Sequence, residues 1–196
     1  MANIRNSMFL LADLEHSGKE DQVLHKNQFE NGLTFWGIYE KENPNWDGWI
    51  VVKQVLKETK DIKEASKKLF KNPYLFELVM KFYKKEFWDK MQLDLVNSQK
   101  IADEMFIFGA NVHWKVSVKK AQKLVGAKPD GFVGNETIRL LNVYDVNKFD
   151  IEFDELEKQY YADVIKAKPY LVKYKKGWDK RAVYVFLDNQ NNFMVA

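Results

Sequence analysis

The sequence predicts a mainly α protein, and three observations carry that expectation. Apolar residues recur at spacings of three and four over most of the chain, as on the buried stripe of a helix. Residues that start and stop helices stand at the ends of those stretches. Alternation of apolar and polar side chains is confined to the tail VYVFLDNQNNFMVA, where a β-hairpin is expected around a turn at Asp188 to Asn192.

In the first segment Ile4, Met8, Leu11 and Leu14 share one stripe, which predicts a helix running to Glu15, with Gly18 as its stop. Residues 19–46 are polar and irregular, with Asn27, Asn31, Gly32, Pro44 and Asn45 around an aromatic knot of Phe35, Trp36 and Tyr39. A long loop of this kind inside a folded domain points to function. Helical spacing resumes at Trp49, Val52, Val55 and Leu56, and again at Ile62, Ala65 and Leu69. Asn72 and Pro73 read as cap and first residue of a helix carrying Leu75, Leu78, Val79 and Phe82. Asn97 and Ser98 precede a helix through Ile101, Met105 and Phe108 that should end at Gly109. Ser117 is the expected cap of a helix through Val118, Ala121, Leu124 and Val125, closed by Gly126. Lys128-Pro129-Asp130-Gly131 reads as a turn, Asn135 as the cap of a short helix at Ile138 and Leu141, and a longer helix is expected from Asp154 to Ile165.

A chain of 196 residues with 46% hydrophobic and 30% charged residues folds into one large domain or two small ones. It has no cysteine, which excludes disulfides, a thiol nucleophile and thiolate metal sites. The formal charge of +3 argues against a dedicated nucleic-acid partner. Basic residues nevertheless crowd between Lys166 and Arg181 among Tyr170, Tyr174 and Trp178, a pattern that suits either a solvated helix face or attraction to an anionic polymer. The apolar run Met8 to Ala12 is too short for a membrane span or a secretion signal, so stable membrane insertion is not expected.

Elimination narrows the chemistry. There is no Gly-x-Ser-x-Gly elbow, HExxH, phosphate-binding Gly-Lys-Ser/Thr loop or GxGxxG. His16, His25 and His113 have no metal-ligand spacing and read as surface or core histidines, so neither metal nor cofactor is expected. Carboxylate chemistry remains. Glycoside hydrolysis needs a protonated acid at the leaving oxygen and a second carboxylate or a positioned water. A glutamate at the inner end of an apolar helix meets the first need, because burial raises its pKa. Glu15 occupies that setting.

Asp13-Leu14-Glu15-His16-Ser17-Gly18 followed by Asn31-Gly32-Leu33-Thr34-Phe35-Trp36-Gly37-Ile38 resembles the opening of glycoside hydrolase family 108, in which a helix ends in Glu-Gly-Gly and a polar loop leads to Gly-Gly-x-Thr-x-x-Gly-Ile. The stretch from Phe87-Trp88 through Gln99-Lys100-Ile101-Ala102, Ala121-Gln122-Lys123-Leu124-Val125-Gly126 and Asp130-Gly131-Phe132-Val133-Gly134-Asn135-Glu136-Thr137 is similar to the peptidoglycan-binding half that accompanies it. Gly177-Trp178-Asp179-Lys180-Arg181 is similar to its closing Gly-Trp-x-x-Arg.

The resemblance implies a lysozyme-like helical bundle at residues 1–92 and a small helical wall-binding region at 93–186, packed as one globule. It implies an N-acetylmuramidase with Glu15 as general acid and Thr34 placing the attacking water. The family's second aspartate is missing, and Glu30 is the candidate in its place, with Asp21 next. Asp21, Trp36 and Tyr39 are expected to contact the glycan. If Glu15 acts alone, a less strongly activated water or lytic transglycosylation is implied; the separate alternative is a wall-binding secretion or adaptor protein that has lost catalysis. A monomer made in the cytoplasm without a classical signal peptide, acting on the wall outside the membrane and carried across by a partner's holin-type pore, completes the expectation.

Overall fold

The computed structural model describes residues 1–16, 19–26, 31–59 and 61–185. The described chain is mainly helical and divides into two compact units, Met8–Lys85 and a second made of Met1–Ser7 with the chain from Glu86 onward.

In the first unit the last turns of α1 (Ile4–His16) bury Met8 and Leu11. A small antiparallel sheet follows in the order β1 (Leu24–His25), β2 (Thr34–Phe35), β3 (Ile38–Tyr39). Three helices complete the unit: α2 (Gly48–Thr59), α3 (Ile62–Phe70) and α4 (Pro73–Tyr83). Asp61 caps α3 by accepting from the Glu64 N–H, and Asn72 caps α4 by accepting from the Leu75 N–H with Pro73 just behind it, as expected of these residue types. The irregular stretch of the sequence is thus a three-stranded sheet whose strands are only two residues long. Runs that short leave no alternation to read.

In the second unit, Lys84–Trp88 forms a π-helical turn and two 3₁₀ turns lead to α5 (Gln99–Val112), α6 (Trp114–Val125), α7 (Asn135–Val143), α8 (Val146–Ala167) and α9 (Lys175–Arg181). Ser98 caps α5, but the helix runs past Gly109. A Cβ at that glycine would lie 3.2 Å from Met91 and 3.3 Å from the Trp114 backbone, so Gly109 serves close packing and not termination. Ser117 is not a cap either. α6 starts at Trp114 behind His113, and Ser117 is wholly buried, donating its hydroxyl to the Met105 carbonyl at 2.7 Å. Gly134 rather than Asn135 precedes α7, and α8 begins eight residues earlier than expected, at Val146 behind the Asp145 cap.

Gly126 closes α6 at φ +79, and Gly131 turns the chain at φ +81, both in the left-handed region that favours glycine. Gln122 holds the second turn: its amide donates to Asp130 Oδ1, the Phe132 carbonyl and Thr137 Oγ1, and its carbonyl accepts from the Gly131 N–H. Trp178 stacks on Tyr161 at 4.9 Å, so the Gly-Trp-x-x-Arg segment serves packing, while Tyr170 and Tyr174 stay exposed. Residues 183–185 form a turn after α9, and the rest of the expected terminal hairpin lies outside the described residues. Among the described residues no helix is long and apolar enough to cross a membrane.

Asp150, Asp154 and Glu157 lie along one stripe of α8 and are buried with Glu104 of α5. Periodicity alone would have placed apolar residues there. Burial and mutual repulsion push Glu104 and Glu157 well above the usual carboxyl range, and burial raises Asp154 to about 7. A carboxyl raised in this way favours the folded state only while protonated. Its contribution is full below the unfolded pKa near 4 and is lost as pH climbs through about 7. Asp154→Asn is therefore expected to raise the melting temperature by several degrees at pH 8 and to leave it nearly unchanged at pH 4, as read by circular dichroism.

Candidate functional site

The sheet of the first unit is organised by one tight turn. β2 and β3 pair Thr34 with Tyr39 and Phe35 with Ile38, leaving Trp36 and Gly37 as a two-residue loop. Both have positive φ, +47 and +75, which is the type I′ hairpin whose twist matches that of its strands. Gly37 fits that turn without cost, and a Cβ there would sit 2.6 Å from the Tyr83 hydroxyl, so glycine is required by space as well as by dihedral.

Trp36 is a bulky residue in a conformation that costs about 1–3 kcal/mol. Its surroundings offset this. The indole is 8% exposed, meets His16 edge-on at 4.7 Å, lies against Phe70 at 6.3 Å and meets Phe76 edge-on at 5.5 Å. Burying such a ring contributes about 1.5–3 kcal/mol, and each aromatic pair about 0.5–1.5 more. The Trp36 carbonyl accepts from Tyr83 Oη at 2.7 Å, and its N–H donates to the Val23 carbonyl at 2.9 Å.

The pairing register sorts the sheet into two rows. Leu24, Phe35 and Ile38 lie side by side, each 1% exposed, and form the row that faces the core. Phe35 stacks on Trp46, which meets Trp49 edge-on. The other row is His25, Thr34 and Tyr39. Laterally paired residues point to the same side of a sheet, so these three share the opposite face. Thr34 is buried and its Oγ1 has no hydrogen-bond partner, whereas His25 and Tyr39 are half-buried. A buried hydroxyl normally finds a partner, so the unpaired Thr34 hydroxyl marks the centre of this polar row.

Ser66 of α3 fixes the incoming strand. It is wholly buried, donates to the Glu20 carbonyl at 2.7 Å and accepts from the Leu24 N–H at 3.0 Å. On the far side, the Glu40 carboxylate accepts from the Leu33 N–H and pairs with Lys53 at 2.8 Å, and the Lys53 hydrogen bond holds the Glu40 carboxyl below its ordinary range.

Glu15 lies in the last turn of α1, and the His16–Trp36 contact docks that helix end against the turn that follows Thr34. Glu15 is exposed, contrary to the expectation that the apolar helix buries it. The helix turns His16 inward instead, and its next-door position carries Glu15 outward. His16 is 6% exposed with both ring nitrogens unpartnered, and desolvation lowers its pKa against the pull of Glu15 and Asp13, so the ring packs as a neutral aromatic. Trp36, expected to contact the glycan, is committed to packing by the contacts above. Tyr39 is half-buried, with its ring against Gly32 and beside Thr34. Asp21 lies half-exposed in the turn ahead of β1, and Glu30 lies outside the described residues. The pairing of His25 with Thr34 and the anchoring of β1 by Ser66 come from strand register and packing and leave no spacing signal in the sequence. Among the described residues no group of three His, Asp or Glu could hold a metal ion.

The end of α1, which carries Glu15, thus docks on a hairpin whose polar row surrounds the unpaired Thr34 hydroxyl. Residues 17–112 match the family model described as Glycosyl hydrolase 108, and by that match the chain is a glycoside hydrolase of the lysozyme type. The matched segment includes the whole sheet and Thr34 and begins two residues after Glu15. A solved structure described as that of Brucella abortus SagA is similar in fold, with a TM-score of 0.59 and 18% identity over 90% of this chain and 91% of that one. No curated protein matches the chain.

The turn makes its own prediction. Gly37→Ala, strained by dihedral and by the Tyr83 hydroxyl, is expected to destabilise the protein by about 1–3 kcal/mol. Tyr83→Phe alone is expected to cost about 1 kcal/mol. The double variant should fall short of the sum, since removing the hydroxyl relieves the clash, and chemical denaturation of the four proteins measures the coupling.

Proposed function

We propose that the protein is a peptidoglycan hydrolase, an N-acetylmuramidase that cleaves the bond from N-acetylmuramic acid to N-acetylglucosamine, with Glu15 as general acid and Thr34 as holder of the attacking water. The family supports peptidoglycan as the substrate class. The observation that carries the residue assignment is the unpaired, buried Thr34 hydroxyl on a hairpin docked to the helix end that bears Glu15.

On this reading Glu15 gives its proton to the glycosidic oxygen as the bond to the sugar carbon breaks, and the water at Thr34 attacks that carbon. The helix leaves Glu15 exposed, so the bound glycan itself must exclude water from the carboxyl. Tyr39 offers a ring edge to the sugar beside Thr34, and Asp21 supplies charge at the mouth of the sheet. Glu30 keeps its place as a second carboxylate on sequence grounds. The protein acts as a monomer on the wall beyond the membrane, reached through a partner's holin-type pore.

Glu15→Gln is expected to keep the wild-type melting temperature and to lose turnover of purified peptidoglycan by at least a hundredfold. Thr34→Val should lower turnover at unchanged fold. Mass spectrometry of the released muropeptides should show reducing N-acetylmuramic acid ends. Anhydro ends would mean transglycosylation, and no products from a protein that sediments with the wall would mean a binding module.

A further inference from the structure

We propose that His25 is the base of the reaction, taking the proton of the water that Thr34 holds. The inference rests on the reading of Glu15 and Thr34 given above. It answers what that reading leaves open, namely which described side chain activates the water.

Three observations carry it. First, the register places His25 directly opposite Thr34 across β1 and β2, so the two side chains rise from the same face of the sheet. Paired residues at such positions have Cβ atoms roughly 4.5–5.5 Å apart, a span that a single bridging water covers. Second, the ring is oriented. His25 Nδ1 lies 3.1 Å from the Gln22 carbonyl oxygen. A carbonyl oxygen only accepts, so Nδ1 carries the hydrogen of that bond, and in the uncharged ring the lone pair sits on Nε2. This is the arrangement of a histidine held as a base by its other nitrogen. Third, the scaffold under His25 is built. Ser66 ties down the chain leading into His25, through the Glu20 carbonyl and the Leu24 N–H, so the ring stands on an anchored backbone while remaining half-exposed.

The step balances without any further reactant. The water oxygen forms a bond to the anomeric carbon as that carbon's bond to the glycosidic oxygen breaks. The leaving oxygen receives the proton of Glu15, and the water's proton passes to His25 Nε2. The displacement is single, so the configuration at the anomeric carbon inverts.

The test uses the full chain on solubilised glycan strands. His25→Ala is expected to keep the fold, to lose about 10²- to 10⁴-fold in kcat with KM nearly unchanged, and to regain part of that rate when imidazole is added. Imidazole should not help the wild type or Glu15→Gln, and the wild-type product should be the inverted anomer by nuclear magnetic resonance. His25→Gln keeps a polar side chain of similar size and reports on the same loss should the alanine variant melt early. A folded His25→Ala or His25→Gln with wild-type kcat would overturn the proposal, as would a loss that imidazole leaves untouched or a retained anomer. Glu15→Gln separates the two levels: if it is inactive while the His25 variants work, only the base assignment falls, and if it is fully active the underlying reading falls with it.

Discussion

The first unit depends on the two-residue turn at Trp36 and Gly37. A left-handed tryptophan is an expensive way to reverse a chain, and it persists because its ring is sealed among His16, Phe70 and Phe76 while its carbonyl is taken by Tyr83. That one residue thereby joins the end of α1, the sheet, α3 and α4. The Trp36 cluster is the contact that ties the helix end bearing Glu15 to the hairpin bearing Thr34, the two elements to which the proposed chemistry is assigned. The same geometry that turns His16 inward leaves Glu15 exposed.

The polar row on the sheet depends on this turn as well. With a two-residue loop the register has no freedom, and a slip of one residue would exchange Leu24, Phe35 and Ile38 for His25, Thr34 and Tyr39 in the core. Burial of the apolar row therefore forces the polar row to the other face. The placement of the polar row follows from how strongly the apolar one is specified. The second unit shows a different compromise: among the carboxyls at core positions of α5 and α8, burial holds Glu104, Asp154 and Glu157 above the usual carboxyl range and makes their contribution to stability fall as pH rises.

Much of the fold was legible in the chain because helix boundaries are written locally. The Asn72 and Ser98 caps and the closing glycine at 126 act through hydrogen bonds and dihedrals within a few residues, and they appear where the sequence puts them. Gly109 and Ser117 misled for the opposite reason: a glycine that admits Met91 and Trp114, and a serine that bonds Met105, do tertiary work with residue types that also serve as helix ends. The start of α8 was hidden because its inner stripe carries Asp150, Asp154 and Glu157, which read as a solvent face.

By itself the sequence determined a mainly helical chain without cysteine chemistry, the eligibility of Glu15 at a helix end, and the threonine-containing motif that resembles the family's own, since all of these depend on residue types at short spacing. Tertiary structure alone decided that Trp36 is a keystone of packing, that Glu15 is exposed, and that His25 stands opposite Thr34. Those facts arise from strand register and from burial between segments far apart in the chain, and nothing in the local order of residues encodes them.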